Sequence, residues 1–230
     1  MSRATGDARA GGERAGRGRA RVDGRTARAA VRRTERRRAI LDCARRVFGR
    51  KGYHATVVED IMAEAGIARG TFYLYFGGKR DVFGELLDAL LAGVREVITK
   101  VRLGGGAPPA VEQLRANVAR ITAALLADPD FARFLLREPV GIDPEFDARI
   151  RAFYGELEAL LERSLSYGRE MGLVRALDVE IVARCVLGAV KEALASVLSR
   201  RGDPDQKLAA QRAAEELLRF ALTGVLDPRR

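Results

Sequence analysis

From Thr34 onward, apolar residues recur every three to four positions, and residues that start or stop helices separate the runs. That spacing gathers apolar side chains on one face of an α-helix and is incompatible with the alternation of a half-buried strand. Ile40, Leu41, Ala44, Val47 and Phe48 form one such face, closed by Gly52. Val58, Ile61, Met62 and Ala65 form a second, closed by Gly66. Thr56-Val57-Val58-Glu59 reads as a capping box for this second helix, hydroxyl and carboxylate each satisfying a free N–H. A short segment over about 68–76 and a Gly77-Gly78 pair lead into a long run over 79–103, ended by Gly104-Gly105-Gly106.

Three later helix starts share one signature. Asp128-Pro129, Asp143-Pro144 and Asp203-Pro204 each place an Asp that accepts from orphan N–H groups before a Pro suited to the first helical position. Asp178 is expected to cap a further helix ending at Gly202, with helices also over 111–125, 146–172 and 208–225. With no period-2 strand and no internal repeat, the chain is expected to be all-α, with about nine helices.

Charge divides unevenly along the chain. Residues 1–33 carry ten Arg against three acids, or +7; residues 34–80 carry ten bases against five acids, or +5; the rest carries 21 bases against 23 acids. The first third therefore suits a polyanion. Residues 1–33 hold few large apolar residues, so they are expected to be disordered, as a solvated tail, a DNA-contacting arm, or sequence upstream of the true start. Cys43 and Cys185 match no C-x-x-C pattern, so neither a disulfide framework nor a zinc site is expected, and a reduced cytoplasm is the natural setting. No apolar run approaches a membrane span or a signal core. With His54 as the single histidine, no strand-linked phosphate loop and no metal-ligand cluster, neither catalytic residues nor a cofactor nor a metal is expected. His54 itself reads as an exposed loop residue or a phosphate contact.

Two short helices joined at Gly66, followed by a segment of small, hydroxylated and basic residues, meet the needs of a helix-turn-helix. Ala63-Glu64-Ala65-Gly66-Ile67-Ala68-Arg69-Gly70-Thr71-Phe72-Tyr73-Leu74-Tyr75-Phe76-Gly77-Gly78-Lys79 closely resembles the signature of the TetR/AcrR family of transcriptional regulators. The likeness extends upstream through Ile40-Leu41-Asp42-Cys43-Ala44, Phe48 and Gly52-Tyr53. The resemblance implies a DNA-binding domain at 34–80 and an effector-binding, dimerising domain at 81–230. It implies a repressor that leaves palindromic double-stranded DNA when a small molecule binds. Carried over by position, Arg69 and Gly70 would face base edges. Thr71, Tyr73 and Tyr75 would lie near the sugar-phosphate backbone, Lys79 would touch a phosphate, and Thr56 would cap the second helix near another. Ala68 and Gly78 depart from the family's usual capping residues. An architectural, nonspecific DNA-binding protein is the alternative reading.

Beyond Lys79 the resemblance is architectural. Phe131, Phe134, Leu135, Phe153, Tyr154, Leu157 and Met171 fall on the helices that surround the effector cavity in such proteins, and each is equally readable as core. Arg120, Glu138 and Arg184 are candidates for a polar ligand head or for solvated faces. The apolar set points to a hydrophobic effector. Gly188, Ala189, Ala193 and Ala221, set among Leu194, Leu198, Leu217, Leu218, Phe220 and Val225, suit a two-fold four-helix interface between copies of the chain.

Overall fold

The computed structural model describes the backbone of residues 10–137, 141–199 and 205–225, with side chains from Arg28 onward except those of Lys207 and Val225. The described residues form nine helices: α1 (Ala10–Lys51), α2 (Val58–Ala65), α3 (Arg69–Tyr73), α4 (Lys79–Val97), α5 (Ala110–Leu125), α6 (Pro129–Arg137), α7 (Pro144–Glu170), α8 (Val179–Leu198) and α9 (Gln206–Val225). The all-α expectation is met. Asp128 accepts from the Phe131 N–H, Asp143 from those of Glu145 and Phe146, and Asp178 from that of Ile181, so three predicted caps form. Asp203-Pro204 and Gly202 lie outside the described residues.

Three boundaries differ from expectation. The segment expected to be disordered is helical from Ala10, and residues 1–9 lie outside the described residues. Ala and Arg favour helix, and once the packed turns from Ile40 to Phe48 exist, each added turn escapes the nucleation cost. Among the described side chains, Val31 is 57% exposed, whereas Ile40, Ala44, Val47 and Phe48 are buried.

The second difference is at α2, where Val57 and not Thr56 takes the capping position. The Val57 N–H donates to Asp60, one residue beyond the predicted Glu59. Thr56 is fully buried, and its hydroxyl donates to the Gly52 carbonyl at 2.6 Å.

The third lies in α4, which stops at Val97 instead of running to the triple glycine. Asn117 of α5 accepts from the Thr99 N–H at 2.9 Å and donates to its carbonyl at 2.8 Å, pairing that residue as a neighbouring strand would. Arg120 donates to the Val97 carbonyl left free at the helix end. Gln113 grips Arg102 in the same two-way fashion. The β-branched run Val97-Ile98-Thr99 costs little to release from helix, and α5 side chains satisfy its backbone.

One hydrophobic core runs from the first helices into the body. Phe48 of α1 stacks on Phe134 of α6 and meets Phe83 of α4 edge-on. Tyr53, in the α1–α2 turn, stacks on Phe146 of α7 with ring centroids 4.5 Å apart. His54 lies against the same Phe146 ring at 5.0 Å, half-buried where an exposed loop residue was expected. A smaller cluster of Leu126, Leu198 and Ala210 lies between α5, α8 and α9. No described helix is long and apolar enough to cross a membrane.

Candidate nucleic-acid interface

The short helix α3 owes its orientation to what it buries. Gly66 ends α2 at φ 60°, a left-handed conformation that a side chain disfavours, and its N–H turns back to the Ala63 carbonyl. Ile67 and Ala68 then redirect the chain, and Phe72 and Phe76 drop into the core, 0% and 3% exposed. With these two anchored, Arg69, Gly70, Tyr73 and Leu74 face outward. Leu74 is 71% exposed, a feature sequence reasoning missed; alone, a Leu in an aromatic run carries no sign of which way it points.

Arg69 is the most available donor of this ridge. Its side chain is 69% exposed, its guanidinium lies 5.6 Å from the Tyr73 ring centroid, and it reaches Glu59 only at 3.4 Å. An ion pair this exposed contributes little and releases its guanidinium easily to a better acceptor. Above Gly70 there is open space, so a flat partner can approach the backbone closely. Thr71 is half-buried and Tyr73 is 45% exposed.

The other expected contacts are placed differently. Thr56 is buried, which removes its hydroxyl from any external phosphate. Lys79, the first residue of α4, donates to the carbonyls of Tyr53 and Thr56, each at 2.8 Å, and reaches that of His54 at 3.5 Å. Its ammonium also lies 4.4 Å from the Tyr53 ring centroid. Tyr75 is half-buried, and its carbonyl accepts from Arg37. Arg37 also holds Glu85 of α4 and covers the Phe76 ring, fastening the end of α3 to two helices.

The ridge stands on a charge-paired platform. Arg46 and Arg50 of α1 grip Glu64, and the Arg50 and Arg46 hydrogen bonds hold its carboxyl below the usual carboxylate range. Lys51, followed by the Val57 N–H, does the same for Asp60. Gly77 donates to the Asp81 carboxylate at 2.8 Å, and a Cβ on Gly77 would stand 2.7 Å from that oxygen, so any side chain there would push the carboxylate off the α3–α4 turn.

The nominated effector residues differ in burial. Phe131, Phe134, Leu135 and Phe153 are buried in the main core, while Tyr154, Leu157 and Met171 are half-buried. Lys191 lies 3.7 Å from the Tyr154 ring centroid, and burial pushes the Tyr154 phenol up to about 12. Neither of the two grooves described, about 700 Å3 beside α1 and α3 and about 430 Å3 between α5 and α9, is lined by these residues. Arg120 caps α4, Arg184 pairs with Glu180 and Glu158, and Glu138 lies outside the described residues. Among the nominated interface residues, Phe220 is 77% exposed and Gly188 is exposed, with Ala189, Leu217 and Ala221 half-buried. Among the described residues no group of three or more His, Cys, Asp or Glu is placed to hold a metal ion.

A two-helix unit with an outward, donor-bearing second helix, built on a paired basic platform and continuous with a helical body, defines a helix-turn-helix transcription regulator. Residues 40–86 match the family described as bacterial regulatory proteins, tetR family, and residues 107–195 match a tetracyclin repressor-like C-terminal domain. The chain belongs to the TetR family and is a transcription regulator, not an enzyme. It is 24% identical to the fatty acid metabolism regulator protein of Bacillus subtilis over 81% of this chain and 93% of that protein. The structure of the Bacillus subtilis regulator FadR in complex with stearoyl-CoA is similar, with TM-score 0.65, 25% identity, and coverage of 81% of this chain and 97% of that one. SmeT of Stenotrophomonas maltophilia, in its complex with triclosan, shares the fold with TM-score 0.64, 22% identity, and coverage of 84% and 93%.

Proposed function

We propose that the protein is a dimeric repressor that reads a palindromic operator with α3 and leaves it when a small hydrophobic effector binds the helical body, the reader spanning 34–80 and the effector and dimerisation part 81–230. The observation that carries the reading is the ridge from Arg69 to Leu74, exposed above two buried phenylalanines on a segment with local charge +5. A recognition helix needs both properties, since the buried side sets its angle and the exposed side meets base edges. Arg69 offers a bidentate fork for a guanine edge, and Thr71 and Tyr73 offer hydroxyls to the backbone. The exposed α8–α9 face, with Ile181 56% and Phe220 77% exposed, supports pairing of two copies. Two structurally similar proteins bind stearoyl-CoA and triclosan, both rich in apolar surface, which supports a hydrophobic effector here.

Selection of bound duplexes from a random library tests the reading. The expected product is an inverted repeat with half-sites about one helical turn apart. Arg69→Ala should weaken binding to it by about 1–3 kcal/mol and relax one base position in each half. Uniform enrichment with no preferred sequence would instead mark a nonspecific architectural protein. A panel of acyl and aromatic compounds screened by thermal shift then identifies the effector by the stabilisation that ligand binding confers.

A further inference from the structure

Along α1, positions 29, 32, 33, 36 and 39 share one face, and they carry Ala29, Arg32, Arg33, Arg36 and Ala39. This face forms one wall of a groove of about 700 Å3 whose other wall is Leu74 and Tyr75, the residues that follow α3. The small alanines leave the groove open and the three guanidiniums line it, with Glu35 as the one acid in its lining. Lower on the same helix, Arg37, Arg45, Arg46 and Arg50 each hold a carboxylate. Among the described residues, Arg32, Arg33 and Arg36 hold none, and all three are exposed. A row of unpaired guanidiniums on a rigid helix repels itself unless an anion is brought to it. Their fixed fork of N–H donors matches phosphate oxygens.

We infer that this groove is a second DNA contact, in which Arg32, Arg33 and Arg36 bind backbone phosphates flanking the base pairs that α3 reads. The inference rests on the proposed DNA-binding function and adds to it a site of different chemistry, one that supplies affinity without sequence preference. The occupant is fixed by position, since the groove opens at the C-terminal end of the reading ridge and a duplex lying on Arg69 and Tyr73 continues past Leu74 toward it. Helical structure in α1 upstream of Ile40 then has a use: it holds the three side chains in one row, which a flexible tail would not.

The test uses the full chain and a labelled duplex of arbitrary sequence, with binding followed by anisotropy over a salt series. Each phosphate contact contributes about 0.9 to the slope of log affinity against log salt, so Arg32→Ala/Arg33→Ala/Arg36→Ala should flatten it by about 2–3 units. The triple lysine variant keeps the charge and should keep the slope, which separates loss of contact from loss of fold. An unchanged slope in the triple alanine variant, with melting temperature also unchanged, overturns the inference. The two readings fail separately. If a preferred palindrome emerges but the triple variant keeps its slope, the reader stands and the groove falls. If the slope flattens but no preferred sequence emerges, the groove stands and the operator-reading function falls.

Discussion

Lys79 shows how a residue at a family's expected contact position can be occupied within the chain. Its ammonium closes the α1–α2 turn by bonding carbonyls 23 and 26 residues upstream, and a charged donor to a carbonyl contributes about 1.5–3 kcal/mol when its partner would otherwise be left without one. Lys79→Met, which keeps the apolar stem, should therefore lower unfolding free energy by about 2 kcal/mol in urea titration. A variant as stable as the parent would show that the carbonyl contacts contribute nothing. Nothing local in the sequence marks this role, because the partners are backbone carbonyls and carry no residue signature. The capping of α2 was half legible for a related reason. Thr56-x-x-Glu59 and Val57-x-x-Asp60 are both present, one register apart, and the choice between them is made by tertiary burial of Thr56 beneath the turn that Lys79 closes. Phe72 and Phe76 stand four residues apart, the spacing of one helix face, so their shared burial carries a signal in the sequence itself.

Helix ends followed the sequence where a cap was local and departed from it where a distant element supplied the cap. Asp128, Asp143 and Asp178 bond N–H groups two or three residues ahead, and all three were readable. The end of α4 was not, since Asn117 and Arg120 lie a further helix away. Asn117→Ala removes all three bonds to Thr99 and should cost about 1–3 kcal/mol. Amide exchange at Thr99 should accelerate accordingly, and full protection of that amide would show that another group holds the strap. At the start of α7, the Asp143 carboxyl lies below the usual carboxylate range, chiefly through the Phe146 N–H, with the Glu145 N–H and Arg80 adding to the effect. A lowered folded value means that its stabilisation is complete above about pH 4, the unfolded value, and is lost as pH falls through the folded one. Melting temperature below about pH 4 should thus fall more steeply for the parent than for Asp143→Asn. Parallel curves would show that the carboxylate makes no acid-labile contribution.

At the scale of the molecule, the core does not respect the boundary expected after residue 80. Phe48, Tyr53, Phe83, Phe134 and Phe146 form one aromatic cluster drawn from the DNA-reading end and the body alike. On α8 and α9, Ile181 and Phe220 leave apolar surface in water, which the second copy of the proposed dimer would cover. Phe220→Glu should shift the protein from dimer to monomer in sedimentation velocity, and an unchanged sedimentation coefficient would place the contact elsewhere. The first turn of α4 joins the two ends through neighbouring residues, Lys79 holding the α1–α2 turn and Arg80 holding Asp143 and Glu145 of α7. Anyone grafting this reader onto another sensor inherits that arrangement as a splice constraint. A chimera cut after residue 80 separates Arg80 from Asp143 and Glu145 and strips the aromatic cluster of three of its five rings, so a workable exchange must carry the first turns of α4 and α7 together with the reader.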